Sequence, residues 1–538
     1  MMRGTLIKNL KTIIIPILLF MLLFLAACSP PQTTEQPPAP PTSEPSAPSE
    51  PGVEPAPAEE APDTTAKATL RVAFQPIVQT DPALISSDAE VFVANAVYDY
   101  LVDIDAQSNP VPRLATGWSV SDDGLTYSFE LAEGVTFHNG SPVTSADVVW
   151  TFDRLRDPEL GFATSNLYAN IVSVEAQDEH SVVFNLENPN PFFLYDLSDN
   201  HALVIKNGTT DASDFNGTGP FTVVDYSPED RIILSANPAY FIPGQPQLGG
   251  VEIVFFPDDI AMIDALRGGQ IDLVMRMSTS LFESLQAESG IKTMSIPTNG
   301  FDLIRLRSDR APGNDPRVIQ AMKLATDRQA IFALIQQGYG AVGNDSPIGP
   351  LYKSYHDPNV IPPERDVAAA QELLAEAGYP DGLELTLHVP DAGGRPDLAA
   401  VLQQQWAEAN INVDISVEPE SVYYGEKDWL EVDLGITGWG SRPYPQFYLD
   451  VMLVSEAKWN EAHFSDKEFD ELASITGATL DEEQRIQAYA DIQQLLAERG
   501  PVIIPYYFAQ FAAINKDFEG FELKAFAGRT DLRSVSSP

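Results

Sequence analysis

Cysteine is nearly missing from this chain: one residue, Cys28, in 538. An intramolecular disulfide is therefore excluded, as is any metal centre built on paired thiols. Basic residues are also scarce, 32 against 77 acids, for a formal net charge of −45. A phosphate backbone would repel such a chain, so nucleic acid is excluded as a partner. The acid excess itself reads as a solubility device. Six histidines are scattered with no pair at short ligand spacing. The stretch "DIDAQSN" (Asp103 to Asn109) starts like a calcium loop but lacks the glycine and closing glutamate such a loop needs. The Gly-x-Ser-x-Gly elbow of serine hydrolases is absent. "GYGAVG" (Gly338 to Gly343) has dinucleotide-fingerprint spacing, but it follows a helical pattern where that mechanism needs a strand, so it reads as a helix stop and a turn. No catalytic residue, cofactor or metal is expected.

What is present begins at the N-terminus. Arg3, Lys8 and Lys11 precede the apolar run "IIIPILLFMLLFLAA" (Ile13 to Ala27). The run is shorter than the about 20 residues a membrane-spanning helix needs. Its order of positive, apolar and then small residues is that of a secretory signal, with a spanning anchor as the alternative. Twelve prolines follow between Pro30 and Pro62, with no lysine or arginine between Ser29 and Ala66. That composition predicts an extended, semi-rigid tether. The expected boundaries are a signal peptide over 1–27 and a linker over 28–67.

The remainder, at 44% hydrophobic overall, is long enough for a large core and more than one lobe. Its first half is strand-rich: "LTYSFEL" alternates at period two, and "SVVFNL", "RIILSA", "VEIVFF" and "IDLVMR" follow. One helix interrupts them, opened by Thr144 and Asp147 at capping-box spacing. The second half alternates helices and strands. "DPRVIQAMKLATDRQAIFALIQQG" predicts a helix from Pro316, capped by Asp315 and stopped by Gly338. "RDVAAAQELLAEAGYP" predicts another, ended by Gly378. Strands through Leu383 to Val389 and Ile411 to Val417 flank a helix through Leu398, Leu402 and Trp406. An α/β lobe is implied, and two differently built halves predict a cleft between them.

Several stretches carry a family resemblance. Leu25-Ala26-Ala27-Cys28 resembles the lipobox of bacterial lipoproteins, which would make Cys28 a lipidated N-terminus. "LATGWSVSDDGLTYSFELAEGVTFHNGSPVTSADVVWTFDRL" (Leu114 to Leu155), "GTGPFTVVDYSPEDRIILSANPAYF" (Gly217 to Phe241) and "LLAEAGYPDG" (Leu373 to Gly382) resemble the extracellular solute-binding proteins of ABC importers, family 5. So does "IQQLLAERGPVIIPYY" (Ile492 to Tyr507). The resemblance implies a bilobal, periplasmic-binding-protein-like α/β fold (type II, cluster C) with an extra subdomain inserted in the first lobe. Lobe I would combine 68–105, 207–300 and 502–538, the inserted subdomain 106–206, and lobe II 301–501. Hinges would lie at Asn299 to Phe301 and Val502 to Pro505. A monomer is implied, lipid-anchored on the outer face of the cell membrane, in the periplasmic space or the cell exterior. It would carry a small-molecule or peptide solute to an ABC permease. The alternative from another class is a secreted, membrane-tethered hydrolase acting on peptides or glycans.

For the solute, the resemblance points to "ITGWGSRPYPQFYLDVML" (Ile436 to Leu453) as the cleft stretch. Peptide binders of this family carry an aspartate for the peptide's amino group where this chain has Arg442, and arginine prefers carboxylate, phosphate or sulfate. In "FDLIRLRS", alternation puts Leu303, Arg305 and Arg307 on one face. These arginines either meet an anionic solute or pair with nearby acids and hold the wall together. Trp439, Tyr444, Phe447 and Tyr507 are candidates for the apolar walls, with core packing the commoner role for each taken singly and for Phe447 above all; Phe301 is a further expected ligand-binding residue. Ordinary free-amino peptides, modified peptides, oligosaccharides and anionic small molecules stay open.

Overall fold

The computed structural model describes residues 67–106, 108–162, 164–425, 428–526 and 528–537. The expected signal peptide, Cys28 and the proline-rich tether lie outside them. Among the described residues no helix is long and apolar enough to cross a membrane.

A 12-stranded mixed sheet runs through the chain. Its spine is the 16-residue strand Ile291–Leu306, paired antiparallel with Tyr506–Asn515. Up to Pro297 the spine is only partly covered; from Thr298 onward every residue is buried. The register shifts between Pro297 and Phe301, where the spine passes from one apolar core to another. Thr298 Oγ1 donates to Phe508 O (2.8 Å) and accepts from Gly300 N–H (3.0 Å). A Cβ at Gly300 would lie 2.6 Å from the Phe508 ring, so the crossing needs glycine.

On one side of the crossing, Thr69–Phe74 pairs parallel with Gly250–Phe255 and with Leu273–Met275. Every strand expected in the first half forms. The strands Ala115–Val120, Thr126–Leu131, Ile171–Ala176 and Ser181–Leu186 make a separate four-stranded antiparallel sheet. The helix Ser145–Arg156 accompanies it, opened by a capping box in which Asp147 accepts from Thr144 N–H at 2.7 Å. Phe129, Phe152, Phe184 and Tyr168 pack edge-on in its core.

On the other side, Leu383–Pro390 and Ile411–Glu418 pair in parallel around the helix Arg395–Ala407, the α/β unit the alternation predicts. One expectation changes. The helix expected from Pro316 to Gly338 ends at Ala325, and a second runs from Arg328. Thr326 leaves the helix with ψ 116° and accepts from Trp406 Nε1 (2.9 Å), while Asp327 caps the new helix through Ala330 N–H (2.9 Å). The "TD" pair is a start signal inside an otherwise continuous helical pattern. Gly340 follows as a turn with φ +101°, where a Cβ would strike Tyr507 O; "GYGAVG" is a stop and a turn.

Candidate functional site

A cavity of about 1540 Å³ opens where the two sides of the sheet meet. That exceeds the about 300–1,000 Å³ of pockets for drug-sized ligands. Its walls come from distant segments: Ala83 to Val91, Asn188 to His201, the spine at Thr298 and Phe508 to Phe511, and Gly440 to Val454.

Of the expected site residues, Arg442 and Tyr444 line this cavity. Both sit in the loop between the strand Leu434–Trp439 and the short helix Gln446–Tyr448. Tyr352 Oη donates to Arg442 O (2.7 Å) and fixes the loop. The Arg442 guanidinium lies 4.4 Å from the centre of the Phe447 ring, a stacking cation–π arrangement. Phe447, expected in core packing, is buried but also lines the cavity.

Phe301, Arg305, Trp439 and Tyr507 are not brought to the cavity wall; all four are buried behind it. Arg305 is 0% exposed and pairs with Glu461, Nε to Oε2 at 3.2 Å. Glu461 also accepts from Thr437 Oγ1 (2.6 Å) and Trp439 Nε1 (3.1 Å). Burial holds the Glu461 carboxyl above its usual range even against the Arg305 charge. Arg307 pairs with Asp309 and Glu431, each at 2.7 Å. For both strand arginines, pairing with acids is what the geometry provides. Phe301 packs against Tyr448 and edge-on to Tyr507, whose hydroxyl lies 2.5 Å from Asn344 Oδ1 and from Ser346 O.

Sequence reading missed the segment Asn190 to His201. Phe192 is 2% exposed and belongs to an apolar cluster otherwise drawn from residues 301–507. Its ring stacks on Tyr444 (5.1 Å, 17°) and stands edge-on to Tyr355 and Tyr489. Tyr444 Oη donates to Asp196 Oδ1, and Asn190 Nδ2 donates to Oδ2 of the same carboxylate (2.7 Å). A latch thus joins two segments of the cavity wall. The signal available was "NPNPFFLYD", a run of aromatics among turn formers that no helical or strand period explains.

Electrostatics differ from residue to residue. Burial pushes Asp196 up to about 8, against the hydrogen bonds from Tyr444 and Asn190. Asp450 lines the cavity with its side chain exposed there but crowded by protein; that crowding pushes it up to about 6 despite a 2.8 Å bond from Gln446. Burial also works against the charge of Asp199, but His201, 2.6 Å away, and Arg442 outweigh it and hold this carboxyl below the usual range.

Two lobes, two crossing strands and a roomy cavity between them define a binding protein of the periplasmic type. Solved structures with this fold include the periplasmic binding protein DppA from Helicobacter pylori in complex with the peptide STSA. It has a TM-score of 0.76 and 24% identity, over 87% of this chain and 98% of that one. AppA from Bacillus subtilis with a nonapeptide matches with a TM-score of 0.75 and 23% identity, over 88% and 99%. Among curated relatives, heme-binding protein A of Haemophilus influenzae is 26% identical over 483 residues, 83% of this chain and 88% of that protein. Di/tripeptide-binding protein 1 of Pseudomonas aeruginosa is 26% identical over 486 residues, 83% and 90%. The family described as bacterial extracellular solute-binding proteins, family 5 (middle region) matches residues 109–460. The chain belongs to the bacterial extracellular solute-binding proteins, family 5. It is the substrate-binding protein of an ABC importer and not an enzyme, which sets the hydrolase alternative aside.

Proposed function

We propose that this protein is a lipid-anchored receptor that captures a peptide or another small solute in the cavity and hands it to its membrane permease. The observation that carries the reading is the 1540 Å³ cavity walled by both sides of the sheet and floored by the two strands that connect them. Relatives named for di- and tripeptides, for oligopeptides and for heme bracket the kinds of solute such a cleft serves. Arg442 and Tyr444 are the wall residues proposed to meet the solute. Trp439, Phe301, Arg305 and Tyr507 act behind them, by holding that wall in place.

Lobe I is assigned to 68–105, 207–300 and 502–538, with 106–206 inserted in it, and lobe II to 301–501. The apolar clusters support this division, except that Phe192, Val502, Ile503, Ile504, Tyr506 and Tyr507 pack with residues of 301–501. Bending at Asn299 to Phe301 and Val502 to Pro505 closes the cleft. A solute touching both lobes favours the closed form, and only that difference in contact shifts the equilibrium. Cys28, acylated after removal of 1–27, ties the protein to the outer face of the membrane, and the proline-rich segment is its leash. A monomer suffices, since one chain supplies both walls.

Calorimetry of the processed protein against peptide and sugar libraries tests the capture. Saturable one-to-one binding without turnover is the expected result, and product release would overturn it. Mass spectrometry of the membrane-extracted N-terminus is expected to show an acylated Cys28; an intact leader would reject the anchor.

A further inference from the structure

We propose that the solute carries a carboxylate or another oxyanion, and that Arg442 on its Phe447 platform is the residue that holds it. This rests on the solute-binding reading above and names the chemistry of the same cleft. Arg442 is half-buried, and its Nε is enclosed with no hydrogen-bond partner. No described residue forms an ion pair with its guanidinium. The two Nη groups are not enclosed in this way and donate to no described residue, so they are the donors a solute can reach. The planar fork of arginine matches an oxyanion with two parallel bonds.

The other groups on the wall are already engaged. Arg529 pairs with Asp103 (2.5 Å), Arg276 with Asp88 (2.8 Å) and His201 with Asp199 (2.6 Å). Asp196 accepts from Tyr444 and Asn190, Asp450 from Gln446, and Asp470 from Ser455 N–H (2.9 Å). Asp199 feels the Arg442 charge but accepts its hydrogen bonds from the ring and backbone N–H of His201. At the exposed rim, Lys458 and Glu456 oppose each other and favour neither sign. Away from the exposed Lys458, Arg442 is thus the cation of the described wall that has no ion pair; Asp450 and Asp470 likewise keep a hydrogen bond but no cation. The guanidinium rests 4.4 Å from the Phe447 ring centre, a contact that limits the freedom it has to lose when an oxyanion docks.

The test uses matched pairs in calorimetry with the processed protein. One arm pairs peptide acids such as N-acetyl-Phe-Gly-Phe with their C-terminal amides. The other pairs sugar phosphates such as glucose 6-phosphate with the parent sugars. In the arm that holds the natural chemistry, the acid is expected to bind about tenfold or more tightly than its neutral partner. Arg442→Gln is expected to erase that ratio, and Arg442→Lys to restore part of it. A neutral compound binding as tightly as its acid overturns the proposal, as does a ratio that survives Arg442→Gln; solute capture stands in either case. If no compound of any charge binds, the capture reading fails first, and this proposal with it.

Discussion

Two stretches of cleft wall, three residues apart in sequence at their nearest, treat arginine in opposite ways. Behind the wall, Trp439 and Arg305 converge on Glu461 and are sealed from water. On the wall, the Arg442 guanidinium lies over the Phe447 ring without an ion pair to any described residue. The first arrangement is a buried charge pair, whose removal by halves is severe because one charge is left stranded. The second is an unpaired charge, which the fold tolerates because the side chain is only half-buried and opens on the cavity. If Arg442 meets the solute as proposed, stability and recognition are divided between neighbouring positions, and substitutions should separate them.

Arg305→Ala is expected to have the largest effect. It strands Glu461 in the core and should cost about 3–5 kcal/mol in urea unfolding. The double variant Arg305→Met, Glu461→Gln should recover most of that loss; if it recovers none, the pair is not what Arg305 contributes. Phe192→Ala comes next, at about 3 kcal/mol for a buried phenylalanine. Hydrogen exchange should rise across the cleft in the helix Glu482–Arg499, where Tyr489 faces Phe192. Phe129→Ala, a similar loss inside the four-stranded sheet, should leave that helix protected.

The latch should also respond to pH. The Asp196 carboxyl is raised to about 8 in the folded protein, so the fold favours its protonated form. Its contribution is complete below about pH 4 and is lost as pH rises through about 8. Asp199, Asp450 and Tyr444 surround it, and the two acids raise it further. Thermal melting between pH 5 and 9 should therefore fall with rising pH, and Asp196→Asn should flatten that slope. A slope unchanged in Asp196→Asn would remove the latch as its source. The smallest effect is expected from Arg442→Gln, within about 0.5 kcal/mol of the parent in unfolding. A larger loss would move Arg442 into the same class as Arg305.

Much of the fold was legible from local chemistry. The capping pair Thr144 and Asp147, Asp315 before Pro316, and Gly378 after its helix mark element ends because they satisfy or stop the backbone locally. The strands through Thr126–Leu131 and Leu383–Pro390 follow from alternation. The break at Thr326 was missed because Trp406, far along the chain, completes it. At the site, a motif-bearing loop led correctly to the cavity at Arg442 and Tyr444. Strand alternation did not do so for Arg305, since alternation names two faces without saying which one looks into a cleft.

By itself, then, the sequence determined the elements, their order and the class of protein, because those depend on groups within a few residues of one another. Only the tertiary structure decided which arginine is buried with an acid and which meets the cavity. It also brought Asp196 to Tyr444, 248 residues further on. Such pairings depend on how two lobes approach in space, and no local period records that distance.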